Sequence, residues 1–132
     1  MVRIEAIYDG KLRCTATHIP SGQKLATDAP VDNMGKGESF SPTDLLATSM
    51  LNCMMTIIAI AADSRELDVS EMSGSVEKHM TSGPRKVSKL EVEISLPTEL
   101  HSEDRSWLIK RGRACPVHKS VSEEMEVEVR FY

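Results

Sequence analysis

The chain has 132 residues, three cysteines, a hydrophobic fraction of 40% and a formal net charge of −4, enough for one domain whose core needs no disulfide or structural metal. So mild an acidity excludes the basic footprint of a nucleic-acid binder and the polybasic patch of a membrane-surface protein. No long apolar run opens the sequence, so no export signal is expected, and the expected compartment is the cytoplasm, where thiols stay reduced.

The N-terminal third reads as strands. Leu12 to Thr17 alternates apolar and polar residues, with Asp9-Gly10 as the hairpin turn before it and Ser21-Gly22 as the turn into Gln23–Ala26. Cys14 is in phase with Leu12 and Ala16, which predicts a small buried hydrophobe. The stretch DAPVDNMGKGESFSP is rich in Gly, Pro, Asp and Asn and forms a long loop for so small a domain. Such a loop is expected to be functional or to lie against another chain. It is no phosphate loop, because the preceding strand and the lysine–serine pair of that motif are missing.

Ser41-Pro42-Thr43-Asp44 opens a helix. Serine suits the N-cap, proline the first helical position, and Asp44 the positive helix end. The helix is predicted to run through LLATSMLNCMMTIIAIAADSREL, apolar on nearly every side and therefore central. Thr48, Ser49, Asn52 and Thr56 interrupt it and no basic anchors flank it, which argues for burial in protein rather than lipid.

Two strands follow, Ser73–Met80 and Val87–Leu96, with Gly83-Pro84 as the turn between them. Leu90, Val92, Ile94 and Leu96 fall on one face of the second. A short amphipathic helix is predicted from Ser102 to Arg111, and a last strand places Met125, Val127, Val129 and Phe131 together. This order predicts one α+β domain over 1–132, a single, largely antiparallel sheet packed on the long buried central helix. One face of that helix would remain uncovered by so small a domain, so a homodimer pairing the helices of two chains is expected.

Cys53 lies within the central helix, on a stripe with Leu46, Ser49, Ile57 and Ile60, among nearly uncharged neighbours. It is either inert packing or a nucleophile that needs a cation from elsewhere in the fold. Cys115 is in GRACPVHKS, directly before Pro116, a residue suited to the first position of a helix. A thiol there would feel the helix N-terminus and the nearby Arg111, Arg113, His118 and Lys119, all favouring the thiolate. Alternatively, it simply caps a short helix. Cys115 and His118 have the spacing of half a zinc site, but no second pair exists, and His18, His79 and His101 stand alone in separate elements. No metal or cofactor is expected.

SPTDLLATSMLNCM, followed about sixty residues later by ACPVHKSV, resembles the OsmC/Ohr family. The N-terminal YDGKLRCTATHIPSGQKLATDAP, the GKGESFSP loop and the closing strand are similar too, so the resemblance covers nearly the whole chain. It implies an intertwined homodimer built around two long helices, with active sites at the subunit interface. It further implies a peroxidase in which Cys53 attacks an organic hydroperoxide and Cys115 resolves the resulting sulfenic acid as a disulfide. A dithiol reductant of the lipoyl type then restores both thiols. The family adds an arginine from the N-terminal strands, for which Arg13 is the candidate, with Lys11 aligning nearly as well. It also adds an acid near the start of the central helix. That position is Thr43 here, which leaves Asp44 and Glu38 as the available acids. A member of the family that kept the fold as a small-molecule binder is the other reading of that departure.

Overall fold

Three antiparallel strands fill the N-terminal part of the computed structural model, which describes residues 1–132. They are β1 (Ile4–Gly10), β2 (Arg13–His18) and β3 (Lys24–Asp28), in the order β1-β2-β3. The β1–β2 turn is tight: Gly10, Lys11 and Leu12 all take positive φ, at 84°, 54° and 64°. The β2–β3 hairpin pairs Thr17 with Lys24 and ends by setting Arg13 opposite Asp28. Cys14 is half-buried in this sheet rather than in a core.

The loop after β3 folds back on itself. Gly37 donates its N–H to Ala29 at 3.1 Å and Gly35 to Pro30 at 3.0 Å. A side chain at Gly35 would collide with the Ala29 carbonyl, so only glycine fits there.

Helix α1 (Pro42–Asp63) begins where the sequence places it. Ser41 and Asp44 form a reciprocal cap: the Asp44 N–H donates to Ser41 Oγ at 3.1 Å, and the Ser41 N–H to Asp44 Oδ2 at 2.8 Å. The helix stops four residues short of the predicted Leu67 because Glu66 turns left-handed at φ 54° and Leu67 closes onto the Ala62 carbonyl.

By contact, the chain falls into two compact units, 1–46 and 47–132. In the second, β4 (Ser73–Thr81), β5 (Lys86–Ser95) and β6 (Glu126–Phe131) form another three-stranded sheet. The single sheet expected from the sequence is thus divided in two. Strand β6 runs parallel to β5, a pairing that needs a crossover. Helices α2 (Ser102–Gly112) and α3 (Pro116–Ser120) make it.

Leu90, Val92, Ile94 and Leu96 are buried, as their alternation requires. Met50, Met54, Ile58 and Ala61 on one face of α1 are buried with them. At Gly74 of β4 an added Cβ would meet Leu51 and the Glu93 carbonyl, which shows how closely α1 approaches the sheet. By length and composition α1 could cross a membrane, but this face is occupied by its own sheet. Its other face is open: Ser49, Asn52, Thr56 and Ile60 are exposed.

A candidate thiol site and an arginine cluster

Cys53 sits midway along α1 and is half-buried, while Cys115 is 0% exposed at the N-cap of α3. The fold brings the two thiols together closely enough for Cys53 to act on Cys115 as a hydrogen-bond and charge neighbour. All three cysteines are free thiols.

Of the two sequence readings of Cys115, the surroundings do not favour the activated thiolate. Burial, first, and then Cys53 push its pKa above the usual thiol value of 9.0. The N–H groups of His118 and Val117 act in the opposite direction but do not prevail. Two features explain this. Helix α3 has only five residues, so its N-terminus offers the sulfur little beyond those two N–H groups. Two of the neighbouring cations are also engaged with aromatic rings, Arg111 5.2 Å from that of Trp107 and Arg113 5.3 Å from that of Phe131.

Arg13 and Glu38 meet within the N-terminal unit. Arg13 Nη2 donates to Glu38 Oε2 and reaches Asp28 Oδ2 at 3.4 Å, and both partners hold the guanidinium protonated, Glu38 more strongly. Asp28 is the residue that sequence reasoning missed. It is 1% exposed, its Oδ2 accepts the Glu38 N–H at 2.9 Å, and its Oδ1 has no hydrogen-bond partner. The Glu38 N–H, chiefly, and then Arg13 hold its carboxyl below the ordinary 3.8, against the cost of burial. The available signal was register: a hairpin centred before Ser21 sets Arg13 opposite Asp28, provided β3 runs two residues past Ala26. Lys11 occupies the β1–β2 turn, and Asp44 is engaged in the α1 cap.

A cavity of about 380 Å³ in the C-terminal unit is lined by Glu66, Asp68, Glu71, Glu99, His101 and Asp104, among others, and by neither cysteine. So acidic a lining does not suit an apolar substrate.

A family model described as OsmC-like protein matches residues 35–130. The chain belongs to the OsmC-like family. Among solved structures, this OsmC-like chain is similar to a Psychrobacter arcticus protein named, provisionally, for osmotic stress induction and detoxification. The two share 41% identity over 100% of this chain and 96% of that one, with a TM-score of 0.94. The fold also recurs at 19% identity and a TM-score of 0.74 in a Legionella pneumophila organic hydroperoxide resistance protein, over 99% and 96% of the two chains. An Elizabethkingia anophelis organic hydroperoxide resistance protein shares the fold at 15% identity, with a TM-score of 0.77 and coverage of 99% and 94%. No curated protein sequence matches the chain significantly.

Proposed function

We propose that this OsmC-like protein is a thiol-dependent peroxidase that reduces organic hydroperoxides and works as a homodimer in the cytoplasm. The observation that carries the reading is the pairing of the Cys53 and Cys115 thiols. The names of the Legionella and Elizabethkingia proteins, which share the fold, point the same way.

The Cys53 thiolate attacks one peroxide oxygen. The O–O bond breaks, sulfur is oxidised to the sulfenic acid, and the departing alkoxide takes a proton to leave as an alcohol. Cys115 sulfur then attacks the Cys53 sulfenic acid, a disulfide forms, and water departs. A dithiol of the lipoyl class gives two electrons and two protons to restore both thiols, itself becoming a cyclic disulfide. The raised pKa of Cys115 fits the second role better than the first. A thiol kept protonated does not compete for peroxide, and a basic thiol, once ionised, is the stronger nucleophile. The arginine that the family resemblance calls for has its candidate in Arg13, which is charge-paired with Glu38.

The test is steady-state turnover of cumene hydroperoxide with dihydrolipoamide. Cys53→Ser and Cys115→Ser should each fall to background, with Cys115→Ser retaining one stoichiometric round of peroxide consumption. Undiminished turnover in Cys53→Ser would end this reading, and two inert thiols in the native protein would favour a small-molecule binder instead.

A further inference from the structure

The outer face of the β4–β5–β6 sheet carries an arrangement unrelated to the thiols. Glu77 and Glu91 are direct cross-strand partners in the β4–β5 register, and His79, two residues along β4, shares their face. Like charges set opposite one another across a strand pair repel, so this pair costs stability unless a cation lies between them. Donor atoms of all three side chains converge within 4.8 Å of one another, and His79 Nε2 is already 2.6 Å from Glu91 Oε2.

The protein's own cations lie mainly on the other side of Glu91. Lys89 contacts Glu91 Oε1 at 3.1 Å but is drawn closer to Glu128 of β6, at 2.8 Å. Arg130, on β6, reaches Glu91 Oε1 only at 3.9 Å and is held by Glu128. Glu91 Oε2 is left to His79, and the Glu77 carboxylate has no ion-pair partner. The face as a whole, with Glu77, Glu91, Glu93, Glu126 and Glu128 against Lys89 and Arg130, keeps an excess of negative charge.

We propose that Glu77, His79 and Glu91 form a binding site for one divalent transition-metal ion. One imidazole nitrogen and two carboxylate oxygens suit zinc and its first-row neighbours rather than calcium or magnesium, which take oxygen alone. Tetrahedral ligation at about 2.0–2.2 Å puts donors about 3.3 Å apart, so the three side chains close on the ion by small rotations. Glu77 and His79 are exposed and free to make that adjustment. Water completes the coordination on the solvent side. The ion replaces the His79–Glu91 hydrogen bond with two metal bonds and neutralises the facing carboxylates. This site is independent of the thiol chemistry, and its failure would leave the peroxidase reading untouched.

The test is a titration of the native, reduced, ¹⁵N-labelled protein with cobalt(II) chloride, followed by amide correlation spectra. Paramagnetic shifts should centre on the amides of Glu77, His79 and Glu91 and saturate at one equivalent, and zinc chloride should then displace them. His79→Ala, at an exposed position, should keep the remainder of the spectrum and lose the saturable shifts. Glu77→Gln should weaken binding several-fold. Shifts centred on Cys53 and Cys115, a titration unchanged in His79→Ala, or weak non-saturating shifts spread over the carboxylates would each overturn the proposal.

Discussion

Asp28 shows what a single residue does in this fold. Its buried carboxylate ties β3 to the loop through the Glu38 N–H and to β2 through Arg13. Its pKa is depressed, so its contribution to stability is fully present above the unfolded value of 3.8 and is lost as pH falls through the lower folded value. Asp28→Asn should therefore lower the urea midpoint at pH 7, and the gap from wild type should narrow as the pH is taken below 3.8. An equal gap at pH 7 and pH 3 would mean that the charge is not what matters. Cys115 makes the opposite point. Its pKa is raised mainly by burial, so in the native state iodoacetamide should modify it far more slowly than Cys53, and urea should abolish the difference. Neither property could be read from neighbours in sequence, because burial and hydrogen bonding come from strands and helices that meet only in the fold.

At the scale of elements, local signals were legible and pairings were not. Ser41, Pro42 and Asp44 mark the start of α1 from chemistry within one turn, and the structure realises it as a reciprocal cap. Ser41→Ala removes the acceptor of the Asp44 N–H and should cost about 1 kcal/mol in chemical denaturation. The alternation of Leu90, Val92, Ile94 and Leu96 likewise announced a strand with one buried face. Leu90→Ala in that core should cost about 2–5 kcal/mol. What the alternation could not reveal is partnership. The parallel pairing of β5 with β6 joins residues on either side of two helices, and the division into two sheets depends on which edges stay unpaired. The fully exposed upper part of β1 likewise offers no buried face by which its boundaries could be drawn.

For the whole molecule, the uncovered side of α1 is the main unfinished surface. Ile60 is 61% exposed, and Ile4, Ile7 and Tyr8 of β1 are exposed as well. A stable monomer rarely leaves so much large apolar surface in water, and a second copy of the chain is the cover proposed here. Sedimentation should give twice the chain mass, and Ile60→Glu should shift the protein towards the monomer. A wild-type monomer at micromolar concentration would contradict the assembly. The family was readable from two paired cysteine motifs, and the α+β class from the order of strand and helix periodicities along the chain. The electrostatics of the site were not, since they follow from tertiary contacts. If Cys53 and Cys115 work as a redox pair, one equivalent of cumene hydroperoxide should join them, as read by disulfide mapping with mass spectrometry. A Cys53–Cys115 disulfide, absent from Cys53→Ser, is the result predicted; peroxide consumed with both residues still thiols, or with oxidation confined to Cys14, would contradict it.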